Sequence, residues 1–271
     1  MKKTEKVSDF TGWSKPTQKV RAFSHKEYKY YIVCYNYLMI PNNQALPYPS
    51  GFLLIDKPSG PTSHDIINNL RHLTGIQTIG HAGTLDPLAS GLLIVAIGRT
   101  ATKQIPNLVK QDKVYKAIIC LGGLSDTDDS QGKIQPFTNC HQPTKQEIKI
   151  ILNSFRGEQN QIPPMYSAKK IHGERLYKLA RKGQVVQRQP NLITIYNINL
   201  LHYEWPTLSL EIHCSAGTYI RAIARDLGKM LGCGGYLCQL RRTKIGNYSI
   251  QQAVTLEKLT SHNWTKFLFN L

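Results

Sequence analysis

The sequence predicts an α+β fold in which helices flank a mainly antiparallel sheet. Phe52–Ile55 and Leu92–Ile97 are short apolar runs of the kind that form buried strands. Apolar residues alternate at Leu208, Leu210 and Ile212, which predicts a strand with one buried face. Helical patterns lie between the predicted strands. With 271 residues, 41% of them hydrophobic, the chain is long enough for one large domain or two modest ones.

The first 50 residues differ from the rest of the chain. They carry eight basic and three acidic residues and a cluster of five tyrosines, with no period of 2 or 3.6. Pro41, Pro47 and Pro49 then interrupt the chain. We expect a poorly ordered extension that catalysis does not need, with Met39 as a functional start. Two alternatives are an arm whose tyrosines and lysines contact RNA, and an edge strand at Tyr30–Cys34.

The regular part of the chain begins at Gly51 and predicts four helices. Thr62 with Asp65, and Thr144 with Glu147, each fit a capping box, so a helix should begin at both threonines. The other two helices are predicted at 176–181, before Gly183, and at 220–231, before Gly232.

The predicted strands share an apolar or alternating pattern. They cover 52–55, 92–97, 114–121, 193–200, 208–214 and 236–248, with an acidic turn at 125–132 after the third. We therefore expect one domain at 51–258. Residues 259–271 are too few for a further domain and are expected to form a C-terminal tail.

Charge and cysteine usage limit the class of protein. Lys and Arg total 34 against 17 Asp and Glu, a formal net charge of +17. Such an excess favours an anionic partner, nucleic acid first and a membrane surface second. No apolar run is long enough for a membrane helix, and the basic start lacks the apolar stretch of a secretory signal. The six cysteines form no CxxC pair, so we expect no zinc site, reduced thiols and a cytoplasmic location.

The densest signal for chemistry is the segment Gly80–Gly91, GHAGTLDPLASG. Its glycines permit positive φ and close backbone approach. Pro87 keeps Asp86 out of the helical region, so Asp86 should lie on a rigid turn at the end of a strand. The alternative is an ordinary loop in which Asp86 caps a neighbouring backbone group.

Six segments, in order along residues 51 to 258, resemble the motifs of one enzyme family. They read GFLLIDKPSGPTS from Gly51, GHAGTLDPLASGLL from Gly80, DKVYK from Asp112, QIPPMYSAKK from Gln161, CSAGTYIR from Cys214 and LRRT from Leu240. Together they resemble the TruB family, the bacterial tRNA pseudouridine synthases that act on uridine 55. The resemblance implies the pseudouridine synthase fold with an inserted RNA-binding segment. It also implies an isomerase that uses neither cofactor nor metal.

The resemblance assigns the central chemistry to Asp86 and Arg221. Pseudouridine formation breaks the C1′–N1 glycosidic bond, rotates the uracil and rejoins it through C5. Asp86 matches the nucleophilic aspartate, which attacks either the ribose C1′ or the pyrimidine ring. Arg221 matches the arginine that orients this carboxylate and favours its ionised form. Without the resemblance, Arg221 would be an ordinary surface charge on a helix.

Four further positions match residues of the uracil pocket. Tyr115 matches the tyrosine that stacks on the base and is implicated in removing the C5 proton. Tyr219 and Leu240 match residues that line the pocket, and His81 matches one that contacts the substrate. Each also has a plain structural alternative. Tyrosine is common in strands, leucine in cores, and a loop histidine often serves as a structural hydrogen-bonding group.

Basic residues surround these motifs and are candidates for contacts with the RNA backbone. The candidates are Lys103, Lys169, Lys170, Arg241 and Arg242. The expected partner is the T-arm stem-loop of tRNA, bound by a monomer without guide RNA and away from membranes. A solvated basic surface is the alternative for each residue.

The chain departs from the family at both ends. We find no counterpart of its first 50 residues, and none of the C-terminal PUA-type RNA-binding domain that many relatives carry. Two other functions therefore remain open. One is a guide-dependent rRNA pseudouridine synthase, which is expected to keep a PUA domain. The other is an RNA-binding module or tRNA-folding chaperone, against which the presence of Asp86, Tyr115 and Arg221 argues.

Overall fold

The computed structural model describes residues 49–271 except 139, 168, 172 and 185, and for residues 170, 171, 175 and 181 it describes the backbone alone. The expectations for the N-terminal extension, with its tyrosine cluster, Cys34 and the start at Met39, lie outside the described residues.

A nine-stranded sheet organises the described part of the chain. Its strands are β1 (Gly51–Lys57), β2 (Ile79–Ala82), β3 (Ala89–Ile97), β4 (Lys113–Leu121), β7 (Gly157–Gln161), β10 (Asn191–Glu204), β11 (Thr207–Cys214), β12 (Gly235–Ile245) and β13 (Tyr248–Ser249). The order is β1-β3-β12-β4-β11-β10-β7, with β2 beside β3 and β13 beside β12. Every pair is antiparallel except β3 with β12. The prediction of a mainly antiparallel sheet is confirmed.

Shorter elements surround this sheet. Two small hairpins pair β5 (Gly123–Ser125) with β6 (Ile134–Pro136) and β8 (Lys170–Ile171) with β9 (Glu174–Arg175). The helices are α1 (Ser63–Thr74), α2 (Arg99–Thr102), α3 (Ile105–Val109), α4 (Lys145–Ser154), α5 (Leu176–Arg181) and α6 (Ile220–Met230). Helices α1, α4, α5 and α6 are the four that the sequence predicts.

Both predicted capping boxes form. The Thr62 hydroxyl accepts a hydrogen bond from the Asp65 amide at 3.1 Å, and the Asp65 carboxylate accepts one from the Thr62 amide at 2.8 Å. Thr144 and Glu147 exchange the same pair of bonds at the start of α4. These contacts satisfy amides that have no partner inside the helix, so they fix where each helix begins.

The core explains why residues 52–55 of β1 are all apolar. Leu53 and Ile55 pack with α1 on one face of the sheet, while Phe52 and Leu54 pack with Leu92 on the other. A strand buried on both faces has no polar positions to alternate with. Strand β11 buries only alternate residues, against α4 and α6, and therefore shows the period of two that the sequence predicts.

The C-terminal residues expected as a tail belong to the same core. Trp264 is 5% exposed and packs in the cluster that holds α1 against β1. Phe269 and Phe52 exchange backbone hydrogen bonds of 2.8 and 3.0 Å, which extends the edge of the sheet. The expected boundary at residue 258 is therefore wrong in the structure. A few aromatic residues fix this segment by docking on β1, although it is too short to fold alone.

The expectation that all cysteines are reduced is also corrected. Cys120 on β4 and Cys238 on β12 form a disulfide, with their Cα atoms 5.9 Å apart. The two strands are antiparallel neighbours, a relationship hidden in the sequence by a separation of 118 residues. Cys140, Cys214 and Cys233 are free thiols.

Candidate active site

Asp86 lies on the loop 83–88 that joins β2 to β3, on a non-helical turn at a strand end as predicted. The buried Ser63 hydroxyl holds this loop from α1. It donates to the Leu85 carbonyl at 3.0 Å and accepts from the Leu85 amide at 2.8 Å. The Gly60 amide donates to the Pro87 carbonyl at 2.8 Å. The backbone is thus fixed on both sides of Asp86.

Gly91 determines how closely β3 and β12 approach behind this loop. Its φ is +103°, and a Cβ added there would lie 2.3 Å from the carbonyl oxygen of Arg242. Only glycine fits this position, because a side chain would push the strands apart. The close approach brings Arg242 under the loop, where its guanidinium donates to the Gly83 carbonyl at 3.0 Å.

Arg221, in the first turn of α6, links Asp86 to the opposite wall of the site. Its guanidinium lies 3.0 Å from the Asp86 carboxylate and 3.4 Å from that of Asp129. It also donates to the carbonyls of Thr127 at 3.1 Å and Tyr166 at 2.8 Å. The Arg221 side chain is 6% exposed and that of Asp86 43%. The alternative of Arg221 as a surface charge is wrong, because the structure buries its guanidinium against the carboxylate it was predicted to orient.

Tyr115 lies on β4 opposite Arg242 of β12. Burial raises the pKa of Tyr115, and the charge and hydrogen bond of Arg242 partly offset this effect. The phenol is therefore neutral at physiological pH, with a cation placed to stabilise negative charge on its oxygen. Leu240, two residues before Arg242, packs against the core and borders a cavity that Tyr115 also borders.

Arg242 itself was predicted to contact RNA phosphate, and its burial argues against that contact. It is 1% exposed and donates to the Leu92 carbonyl at 2.8 Å. Arg241 is part-exposed but makes a two-point ion pair with Asp56 at 2.7 and 3.1 Å. From the sequence, both arginines were expected to be free to bind phosphate. In the structure, their guanidinium groups bind acceptors within the protein.

The remaining RNA-contact candidates differ in their surroundings. Lys103 is exposed at the end of α2. Lys169 donates to the Gln189 carbonyl and to the Asn191 side chain, so its ammonium is held against the residues around the start of β10. The side chain of Lys170 lies outside the described part of the structure.

Tyr219 occupies the N-cap position of α6 and is held by Gln161 at the end of β7. The Gln161 amide nitrogen donates to the Tyr219 carbonyl at 3.0 Å, and its oxygen accepts from the Tyr219 amide at 2.8 Å. Gln161 is 4% exposed, so this contact is a buried clamp. The clamp sets the start of the helix that carries Arg221.

His81 lies on β2 and is partly buried. Burial lowers the pKa of His81, and the positive charges of Arg242 and then of His64 lower it further. The imidazole is therefore neutral at physiological pH. Its Nδ1 atom has no hydrogen-bond partner among the described residues.

Two cavities meet at the Asp86–Arg221 pair. The larger has a volume of about 630 Å³ and is bordered by His81, while the smaller, of about 280 Å³, is bordered by Tyr115. Tyr219 and Leu240 also border the smaller cavity. The residues that border both cavities are Thr84, Asp86, Ser167 and Arg221. All six predicted catalytic and substrate-binding residues thus come together here, although they span 160 positions from His81 to Leu240.

Several site residues escaped the sequence analysis. Asp129, 4% exposed beside Arg221, appeared only as part of an acidic turn. Ser63, Gln161 and Ser167 are small or neutral polar residues whose role depends on burial, which the sequence alone does not give. No group of three His, Cys, Asp or Glu side chains in the described residues is arranged to hold a metal ion. Within those same residues, no helix has the length and hydropathy required to cross a membrane.

Comparison with known proteins agrees with the geometry. A family model described as the TruB family pseudouridylate synthase N-terminal domain matches residues 71–220. A second, described as the tRNA pseudouridylate synthase B C-terminal domain, matches residues 221–267. The fold and site therefore define a pseudouridine synthase, an isomerase that modifies RNA. More narrowly, the chain belongs to the TruB family.

Individual relatives support this assignment. A tRNA pseudouridine synthase B of Syntrophotalea carbinolica is 45% identical over 210 residues, 78% of this chain and 68% of the relative. One of Chlamydia trachomatis serovar L2 is 46% identical over 204 residues, 75% of this chain and 84% of the relative. Among solved structures, a Cbf5–Nop10–Gar1 complex matches with a TM-score of 0.61 at 27% identity. That match covers 78% of this chain and about half, 54%, of the solved chain.

Proposed function

We propose that the protein converts uridine 55 in the T arm of tRNA to pseudouridine, with Asp86 as the nucleophile. The observation that carries this proposal is the position of Asp86, a half-exposed carboxylate held at 3.0 Å by a buried arginine where two cavities meet. The names of the relatives from Syntrophotalea and Chlamydia support tRNA as the substrate.

The reaction requires the target nucleotide to leave its stack and enter the site. Asp86 then attacks either the ribose C1′ or the pyrimidine ring, and the C1′–N1 bond breaks. The uracil, now detached from the ribose, rotates and its C5 bonds to C1′. The bond that Asp86 formed breaks in this step if it was to C1′, or afterwards if it was to the ring. C5 then loses its proton and N1 gains one. Asp86 leaves unchanged, so the step is an isomerisation. The fixed geometry of Arg221 keeps the carboxylate aligned without reorganisation during the reaction.

Tyr115 is proposed to stack on the uracil and to assist removal of the C5 proton. Its phenol is neutral in the free enzyme because burial raises the pKa of Tyr115. Arg242, hydrogen-bonded to this phenol, can stabilise negative charge on the oxygen as a proton passes. Tyr219, Leu240 and the neutral His81 are proposed to shape the pocket around the base.

We propose that no guide RNA takes part and that the protein acts as a monomer in the cytoplasm. The similarity to a Cbf5–Nop10–Gar1 complex makes assembly with partners the specific alternative. The chain is 27% identical to that solved chain but 45% identical to the synthase of Syntrophotalea. This difference favours an enzyme that acts without partner proteins or guide RNA.

The test uses purified full-length protein and an unmodified T-arm stem-loop carrying tritium at C5 of the target uridine. Release of tritium to water measures loss of the C5 proton. We expect complete conversion without added RNA or protein. A hairpin in which cytidine replaces the target uridine, with tritium placed at its C5, is the control. Absence of release from the uridine hairpin, or release only when a guide RNA is supplied, would contradict the proposal.

A further inference from the structure

Ser167 presents an unusual hydroxyl at the candidate active site. The residue is 4% exposed, and its Oγ has no hydrogen-bond partner among the described residues. Leaving a buried polar group unpaired costs stability, so nearly all such groups in folded proteins are paired. An exception at a cavity wall points to a partner that arrives with the ligand.

The surrounding structure holds Ser167 in place without using its hydroxyl. The carbonyl of the preceding residue, Tyr166, accepts a hydrogen bond of 2.8 Å from Arg221, the same guanidinium that holds Asp86. The carbonyl of Ser167 accepts one of 3.1 Å from the amide of Tyr177, at the start of α5. The backbone of Ser167 is therefore fixed relative to Asp86, and the residue borders both cavities that meet there.

Two other serines border these cavities, and both are paired. The Ser63 hydroxyl exchanges two hydrogen bonds with the backbone of Leu85. The Ser215 hydroxyl accepts one of 2.9 Å from the amide of Thr194. The two serines with a structural role thus pair their hydroxyls with the backbone, whereas the Ser167 hydroxyl has no partner among the described residues.

We propose that Ser167 is a substrate-binding residue whose hydroxyl pairs with the imide edge of the target uracil, N3–H and the carbonyl beside it. This proposal rests on the proposed function. A neutral hydroxyl beside the Asp86 carboxylate suits a neutral edge better than a phosphate. A hydroxyl both donates and accepts, which matches an edge that offers a carbonyl and an N–H together.

The imide edge of the uracil keeps the same arrangement of groups when the ring turns during the reaction. The glycosidic bond moves from N1 to C5, and these two atoms flank C6. A half-turn of the ring about the line from C6 to N3 exchanges them and also exchanges the two carbonyls. N3–H stays on the axis, with a carbonyl on each side before and after the turn. A hydroxyl at this edge can hold the detached base throughout its rotation.

The first test compares Ser167→Ala with the wild-type protein on the T-arm hairpin. We expect kcat/KM for tritium release to fall about 10- to 100-fold. The melting temperature should stay the same or rise, because an unpaired buried hydroxyl is removed. Ser167→Cys, which keeps a weak donor, should fall between the two. Ser154→Ala, on the exposed face of α4, is the control and should leave activity unchanged.

A second test identifies the substrate group by replacing one uracil oxygen with sulfur, a weaker acceptor. Hairpins with 2-thiouridine or 4-thiouridine at the target are compared in wild type and Ser167→Ala. At least one should slow the wild type several-fold yet leave Ser167→Ala unchanged, as coupling between contacting groups requires. Equal slowing of both proteins, full activity of Ser167→Ala, or a lost activity matched by a lower melting temperature would overturn the inference. Failure of the wild type on the normal hairpin would instead refute the proposed function.

Discussion

The two walls of the candidate active site are built differently. On the wall formed by α1, the loop 83–88 and β12, polar groups are paired within the protein. Ser63 binds the backbone of Leu85, Arg242 binds two carbonyls, and the buried Lys57 ammonium donates to the carbonyls of Pro58 at 2.8 Å and Pro61 at 2.7 Å. Most polar groups of the wall that carries Asp86 are thus paired before any substrate arrives, and Nδ1 of His81, on the adjoining β2, is the exception among the described residues.

The opposite wall comes from the insertion 162–190 between β7 and β10. Among its described residues, the buried apolar side chains are Pro163, Pro164 and Leu176, and the Ser167 hydroxyl has no partner among the described residues. Polar contacts with α6 hold the insertion, since Arg221 donates to the Tyr166 carbonyl at 2.8 Å and Arg225 to the Ile162 carbonyl at 3.1 Å. One wall therefore fixes the reacting group, while the other keeps a polar group available to the RNA.

Arg221→Lys should have the largest effect of the variants that probe this contrast, because in the described part of the chain Arg221 alone pairs with both Asp86 and the insertion. A lysine cannot reproduce the planar fork that reaches Asp86, Asp129 and the Tyr166 carbonyl together. We expect turnover to fall by about 100-fold or more, since small misplacements of a reacting group cost this much. Single-turnover tritium release measures it.

Arg225→Lys is the matched control, one turn along the same helix. Arg225 pairs with Asp128 and Asp226 and does not contact Asp86. It should lower the melting temperature while keeping turnover within a few-fold of wild type. Similar losses of turnover in both variants would mean that Arg221 acts only by stabilising the helix.

The contrast between the two serines predicts different effects on stability. Ser63→Ala removes the partner of a buried carbonyl and a buried amide, so the free energy of unfolding should fall by about 1–3 kcal/mol. Ser167→Ala removes no hydrogen bond to a described residue and should leave this free energy unchanged. Urea unfolding of the two variants beside the wild type provides the measurement. An equal loss in both would show that the insertion wall is as internally satisfied as the loop wall.

Lys57 predicts a smaller, pH-dependent effect on the loop wall. Burial lowers the pKa of Lys57 to about 8, and Arg242 adds to this, while the nearby Asp86 and Asp65 oppose it. An unfolded lysine has a pKa of about 10.4. Between these values the unfolded chain holds a proton that the folded protein has lost, so the free energy of unfolding rises with pH across this window. Below pH 8 the cost of the buried charge is fully present.

Comparison of wild type with Lys57→Met at pH 7.5, 8.5 and 9.5 gives the part of the slope of unfolding free energy against pH that is due to Lys57. We expect this part to be no more than about 1.4 kcal/mol per pH unit. The comparison is needed because burial also lowers the pKa of Lys113 to about 8. Lys116→Met, which removes an exposed lysine of β4, is the control. If Lys57→Met keeps the wild-type slope, the Lys57 ammonium is not desolvated.

The sequence predicts the parts of this structure that depend on local patterns. Capping boxes mark where α1 and α4 begin, and a continuous apolar run predicts β1. Strand β7, with the sequence GEQNQ, has no such pattern, because its pairing with β10 rather than burial stabilises it. The short strand β2 was missed for the same reason, since it forms beside β3.

The candidate active site also combines features that the sequence predicts with features that it does not. Family motifs bring the correct residues to attention, and Asp86 and Arg221 meet as they imply. The burial of Arg242, and the lack of a partner for the Ser167 hydroxyl among the described residues, depend on packing between segments far apart in the chain, which no local pattern records. The Cys120–Cys238 disulfide has the same origin, since it follows from the pairing of β4 with β12.

Replacement of Asp86 by asparagine shows whether the Asp86 carboxylate is the nucleophile. The amide keeps the size of the side chain but loses its charge, while Asp129 remains beside Arg221 to support the helix. Tritium release from the T-arm hairpin and binding of the same hairpin should be measured together, with Asp126→Asn, an exposed aspartate of the neighbouring turn, as the control. We predict that Asp86→Asn binds RNA within a few-fold of wild type and releases no tritium. Release at a rate near that of the wild type would contradict the account.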